Sequence, residues 1–526
     1  MTDATSRPLG RGLYGVLAVF GTVMLVGGAD MTKVTVALPA LTGALPLNTV
    51  QALWIADVYA LAAGVALVPS AVAADRFGRK RVYVFGLGVA VFSAALAGLA
   101  TTGAVLVAAR IGQGTGSALL IAGTVAIIRV SFPGIRLRAL AYGVWTAGFS
   151  TGSALGPLLG GALVDLAQWR WVFWINVPVL LVCLTGAWIV LRESTSPDPP
   201  SLDVLSAGLS AAAVGLTIAG LKGLAQPETT PWLGPTAIAA GSAAAVLFVV
   251  RQLRLPRPFL DVRLLADGLL ANSAVTIATT LGVFNGTLYL LTLRYQTVDG
   301  LSAVEAGTAL VPLAAAMAAG GLVGPALQVR FRQQHVIICG LFLTAVGFLL
   351  LATTPGTGGA AGMITLGLGS GIVMAIGANA VMSTAPENRT ADAGAIQESA
   401  FALGAGTGIA VLGVMAVRYA PSTAAPSAEA VYGAGTDSAL GVAAFFYACF
   451  ALAASILLLS TTRNRQRGEY VGQSRRGQGL RGSPGQGSVH AEADRRARNR
   501  PLSSQAGPQP LSPDARCPGT APRRSR

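Results

Sequence analysis

Ala74-Asp75-Arg76-Phe77-Gly78-Arg79-Lys80-Arg81 sets one acid and four bases between two long apolar stretches, 50–72 and 82–101. Either stretch can cross about 30 Å of hydrocarbon at about 1.5 Å per helical residue. The charged octet therefore reads as a tight turn at a membrane surface. Gly78 permits the turn, and Arg76, Arg79, Lys80 and Arg81 anchor it to an anionic leaflet.

Stretches of the same kind recur outward from this turn, at 13–38, 104–128, 139–165, 171–191, 203–222, 234–252, 269–293, 304–328, 334–352, 358–382, 395–418 and 438–460. With the two flanking the turn they make fourteen predicted spanning helices. A chain with 53% hydrophobic residues, 11% charged residues and a mean hydropathy of +0.62 has the bilayer as its solvent. The run from Leu13 follows Arg7 and Arg11 as a signal peptide would, but it reaches about Leu38 with Asp30 inside it, so it reads as the first span.

Charge tests the count, because a missed helix would invert every later loop. The proposed cytoplasmic side collects Arg7, Arg11, Arg76, Arg79, Lys80, Arg81, Arg129, Arg136, Arg138, Arg192, Arg251, Arg254, Arg257, Arg263, Arg330, Arg332 and Arg389. The other side collects only Arg170, Lys222, Arg294 and Arg418. A multi-pass cell-membrane protein with both termini cytoplasmic is predicted.

The net charge of +15 does not point to nucleic acid, since fourteen Arg and only four acids follow position 462. That Gly-, Pro-, Ser- and Arg-rich end is expected to be disordered and to lie beside anionic lipid. Cys183, Cys339, Cys449 and Cys517 are too far apart for a disulfide framework, and His335 and His490 too few for a metal site. No phosphate-cradling Gly-x-x-x-x-Gly-Lys-Ser/Thr segment is present, and no soluble catalytic domain, so neither an ATP-driven device nor an enzyme is expected.

Leu67-Val68-Pro69, leading to Arg76-Phe77-Gly78-Arg79, is echoed at different spacing by Leu310-Val311-Pro312, leading to Arg330-Phe331-Arg332-Gln333. Fourteen helices then divide as six, two and six. The expected organisation is an N-terminus 1–12, a six-helix bundle 13–200, two extra helices in 201–266, a second six-helix bundle 267–462 and the tail 463–526.

Further along stand Arg110-Ile111-Gly112-Gln113-Gly114 and Gly152-Ser153-Ala154-Leu155-Gly156-Pro157-Leu158-Leu159-Gly160-Gly161. Gly152, Gly156 and Gly160 share one helix face and allow a neighbouring backbone close, while Pro157 removes a backbone donor. Charges within spans are costly and mark function. These are Asp30, Lys33, Asp57, Arg110 and Glu398, and Lys33, three residues after Asp30, can pair with it on one face.

These motifs together resemble the major facilitator superfamily. The Asp-Arg-x-Gly-Arg-Lys turn, the Arg-x-x-Gln-Gly segment and the Gly-Pro-x-x-Gly-Gly segment match three of its motifs. Trp54-Ile55-Ala56-Asp57-Val58-Tyr59 and Trp169-Arg170-Trp171-Val172-Phe173-Trp174-Ile175-Asn176-Val177-Pro178 look like its fourteen-helix drug:proton antiporter branch, which contains the quaternary-ammonium multidrug exporters. The resemblance implies a monomeric proton-coupled antiporter that exports amphipathic drug-like or antibiotic molecules by alternating access and needs no cofactor beyond the proton gradient. Proton-coupled uptake of a small nutrient is the alternative on the same fold. The resemblance also implies that Asp75, with Arg76, Gly78, Arg79 and Arg129, forms a conformational latch. Gly152, Gly156, Pro157, Gly160 and Gly161 would form the antiporter segment, and Asp30, Asp57 and Arg110 would act in coupling or recognition, with Arg110 tuning a carboxylate. The family usually has an apolar residue where Lys33 stands. An Asp30–Lys33 pair neutralises the attraction for cations, so neutral, zwitterionic or anionic amphiphiles are expected as well as dications.

Overall fold

The computed structural model describes residues 11–132, 135–196, 203–224, 232–256, 258, 260–353, 359–384, 389–420 and 431–481. Among them fourteen helices are long and apolar enough to cross a membrane. We label them α1 (Arg11–Ala44), α2 (Thr49–Phe77), α3 (Arg79–Gly98), α4 (Gly103–Ser131), α5 (Ile135–Ala167), α6 (Trp171–Val190), α7 (Val204–Gly223), α8 (Leu233–Arg254), α9 (Gly268–Thr297), α10 (Ala303–Gln328), α11 (Gln333–Thr353), α12 (Gly359–Thr384), α13 (Thr390–Arg418) and α14 (Val431–Ser460).

Helix starts follow local chemistry. Asn48 and Gln51 form a capping box at α2, as Ser302 and Glu305 do at α10, and Thr102, Asp203 and Asp267 cap α4, α7 and α9. Two spans carry breaks that hydropathy does not reveal. In α6 the turn Trp171–Trp174 ends before Asn176–Val190 begins, and α10 is divided at Leu310, where Pro312 lacks the N–H that would continue the ladder. The helix that contains α14 continues to Arg481; residues 463–526 form a separate unit, and those after 481 lie outside the described residues.

Glycine contacts fix how the spans pair. A Cβ on Gly152 would lie 2.0 Å from Leu25 O, one on Gly156 1.9 Å from Thr32 Oγ1 and one on Gly160 2.5 Å from Lys33 O, so the glycine face of α5 is filled by the backbone of α1 and the Thr32 hydroxyl. The α9–α13 pair repeats this, with Gly408 2.0 Å from Gly282 O and Gly404 2.3 Å from Ala278 O on the same measure. Likewise α2–α4 is matched by α10–α12, through Gly114 against Tyr59 O (2.2 Å) and Gly371 against Met317 O (2.0 Å). The architecture is two six-helix bundles, α1–α6 and α9–α14, with α7 and α8 as an additional pair. In that pair a Cβ on Gly220 would meet Gly234 O at 2.7 Å, and Ile218 of α7 packs on Leu61 of α2 and Ala410 of α13.

The Asp75–Arg81 turn defines a loop side of the membrane and, opposite it, a far side. The bundles meet toward the far side. There Gln296 Nε2 of α9 donates to Val36 O of α1 (2.9 Å), and Val304 N–H of α10 donates to Asp165 Oδ2 of α5 (3.0 Å). Gly161 faces Ala303 O, Gly307 faces Pro157 O, and Gly406 and Gly413 of α13 receive Leu61 and Leu53 of α2. Among the described residues no loop-side ion pair joins the two bundles: Arg79–Asp75 and Arg81–Glu193 belong to the first bundle and its following segment, Arg251–Asp203 to the additional pair, and Arg389–Asp261 ties the second bundle to the segment before α9.

Candidate functional site in the first bundle

Asp30 and Lys33 lie one turn apart on α1, and α5 holds that turn so tightly that both side chains face inward between helices. Lys33 Nζ is 2.7 Å from Asp30 Oδ1, with side-chain exposures of 2% and 8%. Asn176, at the start of the second segment of α6, closes the pair into a ring. Its Oδ1 accepts from Lys33 Nζ (2.6 Å), and its Nδ2 donates to both Asp30 oxygens (2.8 and 3.0 Å). Burying two charges costs several kcal/mol each unless they are paired and their remaining hydrogen-bonding sites filled. The ring pairs both charges and fills most of their hydrogen-bonding sites within one cluster drawn from α1 and α6.

Arg110 of α4 is fully buried next to it. Its Nη1 donates to Gln113 Oε1 (3.0 Å), its Nε to Ile55 O (3.2 Å) and its Nη2 to Asp30 O (3.5 Å), and its guanidinium carbon lies 4.6 Å from the Tyr59 ring centroid. Arg110 thus reads the backbone of α1 and α2, and reaches the Asp30 residue through its carbonyl. A mostly apolar pocket of about 30 Å³, room for a water molecule, has Asp30, Tyr59, Gln113 and Ser117 in its lining. Gln113 Nε2 is buried without a hydrogen-bond partner among the described residues. Such an atom and pocket suit a water beside the carboxylate.

Lys222, expected among the loop charges of the far side, is instead buried. Lys222 Nζ is 2.8 Å from Asp57 Oδ1, and neither side chain has any exposed surface. Hydropathy places a lysine next to Gly223 at a helix end, whereas docking of α7 on α2 buries it. Asp57 therefore has a partner from one of the two additional helices. Among the described residues, Glu398 of α13 accepts a long bond from Gln397 Nε2 (3.4 Å) and forms no ion pair.

At the loop side Asp75 pairs with Arg79, which reaches it through Nη2 (2.9 Å) and Nε (3.2 Å). Arg76 leans over Phe77, and Gly78 has φ +108°, a conformation other residues rarely adopt. The side chain of Arg129 lies outside the described residues. Glu193, which the sequence reading did not single out, accepts from Lys80 N–H and Arg81 N–H (3.1 Å each) and so fills the open donors at the start of α3. Asp203 caps α7 and pairs with Arg251 of α8. Burial opposes ionisation of its carboxyl, but bonds from Ser206 and Arg251 prevail and hold it below the usual range. The glycines divide by partner: Gly152, Gly156 and Gly160 face α1, whereas Gly161 and the Pro157 carbonyl meet α10 of the other bundle.

The profile of the Major Facilitator Superfamily matches residues 18–409, and the chain belongs to that family. It is a multi-pass membrane transporter of small molecules, not an enzyme. The chain is 32% identical to the multidrug efflux pump LfrA of Mycolicibacterium smegmatis over 419 residues, covering 79% of this chain and 82% of that one. It is also 32% identical to the tetracenomycin C resistance and export protein of Streptomyces glaucescens over 416 residues, 77% and 76% of the two chains. The fold matches the inward-facing, unoccupied crystal structure of a bacterial homologue of the human lysosomal transporter Spinster, with a TM-score of 0.62, 18% identity, and coverage of 86% of this chain and 99% of that one.

Proposed function

We propose that this protein exports amphipathic drug-like molecules across the cell membrane in exchange for protons, with the Asp30–Lys33–Asn176 ring as the coupling site. The ring carries the reading because its contacts run between helices. A proton on Asp30 cancels the charge that holds Lys33 and Asn176, so it changes the energy of α1 relative to α6 and, through Arg110, relative to α4 and α2. Resistance and efflux relatives support the drug-like substrate and the outward direction. Because Lys33 already balances Asp30, the ring favours neutral, zwitterionic or anionic amphiphiles over a bare cation.

The excess of Arg and Lys on the loop side supports an orientation with both termini cytoplasmic. In that orientation the bundles are joined at the outer end, and the described arrangement corresponds to the cytoplasm-facing member of an alternating-access pair. The Asp75–Arg79 pair is then the released form of the loop latch.

Purified protein in liposomes with an imposed pH gradient tests the reading. Wild type is expected to expel an amphipathic dye against proton influx, and Asp30→Asn to lose that coupled flux by about 100-fold or more. Flux of the dye and protons in the same direction would establish uptake instead. Undiminished antiport in Asp30→Asn would remove the ring from coupling.

A further inference from the structure

α7 belongs to neither bundle and leaves Val204, Leu205 and Leu216 exposed, yet it inserts a lysine that has no exposed surface. Packing alone does not call for a charge there. Val214, Ile218 and Leu221 already supply the apolar contacts to Trp54, Leu61 and Leu403, and an unpaired buried ammonium would be expensive. What receives the lysine is a two-part cradle on α2. Asp57 Oδ1 lies 2.8 Å from Nζ, and the centroid of the Trp54 ring lies 3.5 Å away. A carboxylate opposite an indole face is complementary to an ammonium, and to an organic cation as well.

Two observations mark the cradle as more than a satisfied ion pair. Asp57 Oδ2 is buried and has no hydrogen-bond partner among the described residues, so half of the carboxylate's capacity to accept a second donor or cation is unused. The cradle also lies where the bundles meet, since a Cβ on Gly406 of α13 would come within 3.2 Å of Asp57 O. Arg110 of α4 is within electrostatic range but donates to Ile55, Gln113 and Asp30, and the Asp30 carboxylate is held by Lys33 and Asn176. Lys222 is therefore the direct cationic partner of Asp57.

We propose that Lys222 is a tethered cation: it occupies a carboxylate–indole site on α2 that would otherwise take a lipophilic organic cation, and so sets the charge selectivity of transport. The additional helix α7 is then a working part of the transporter. The proposal rests on the transport reading for its consequence, but the site itself can be tested by binding.

Tetraphenylphosphonium is the probe, titrated into purified wild type, Lys222→Met and the double variant Asp57→Asn/Lys222→Met. Lys222→Met is expected to bind it about tenfold more tightly than wild type, and the double variant to return to the wild-type level. If Lys222→Met does not give monodisperse protein, Lys222→Gln, which keeps a donor toward Asp57, takes its place. Affinity of the single variant within about twofold of wild type, or a gain that persists in the double variant, overturns the assignment. A purely structural lysine would lower affinity and stability together and would not create a gain that depends on Asp57. Transport is measured on the same preparations in liposomes. A cation-binding gain in a protein that moves nothing would refute the exporter reading while retaining the Lys222 site.

Discussion

In the first bundle α5 approaches α1 so closely that a Cβ on Gly152 would lie 2.0 Å from Leu25 O, and in the second α13 approaches α9 with the same 2.0 Å at Gly408. The scaffolds correspond, but the interiors do not. The first buries Asp30, Lys33, Asp57 and Arg110; the second buries Ser273, Thr276, Thr280, Asn285, Thr287, Thr292, Thr344 and Ser370. Several polar groups of the second bundle bond to their own helix, as Thr292 does to Leu288 O (2.6 Å), Asn285 to Leu281 O (3.0 Å) and Thr344 to Gly340 O (2.9 Å). Such bonds travel with the helix and have the same energy wherever it goes. Contacts between helices differ in energy when the helices shift and can bias one conformation over another; the second bundle has one in Thr280–Tyr447 (3.0 Å), but the ion pairs and amide bridge buried in the first carry charge.

The comparison can be broken most severely at the shared scaffold. Gly152→Val and Gly408→Val each force a branched side chain into a neighbouring backbone, and each is expected to cost about 3 kcal/mol, read as a lowered melting temperature of the purified protein. If one bundle tolerates the change, the scaffolds are not equivalent. A smaller effect separates the interiors. Asn176→Leu removes the amide bridge while leaving the direct Asp30–Lys33 contact, and is expected to reduce proton-driven flux about tenfold, whereas Thr292→Val in the second bundle should leave flux within about twofold. Equal losses would put coupling in both bundles. The smallest effect is expected at Glu398. Because its carboxylate forms no ion pair among the described residues, Glu398→Gln should change coupled flux by less than about threefold, measured by the same dye and proton traces. An uncoupled Glu398→Gln protein would relocate the coupling site to α13.

The number of spans was legible in the sequence because membrane helices are set by local composition: a run of about twenty apolar residues must be a helix in lipid. The contact face of α5 was legible in the four-residue spacing of Gly152, Gly156 and Gly160, and the Asp30–Lys33 proximity in their three-residue spacing. Asn176 stands in a tryptophan-rich stretch, and an amide in an apolar run carries no one-dimensional sign of its partners. Glu193, in a polar segment after α6, likewise has no local sign that it meets the start of α3. Lys222 was misplaced because a lysine one residue from a helix end looks solvated until another helix covers it.

The sequence by itself determined the helices, their faces and the uneven distribution of charge across the membrane, all consequences of composition and of periodicity within single spans. Tertiary structure decided which charges meet. Lys33 reaches Asn176 across 143 residues, Lys80 reaches Glu193 across 113, and Lys222 reaches Asp57 across 165. No local pattern specifies these pairings, because they exist only once glycine-lined faces have packed and α7 has settled on α2, leaving each buried charge to be satisfied by whichever polar group the packing brings beside it.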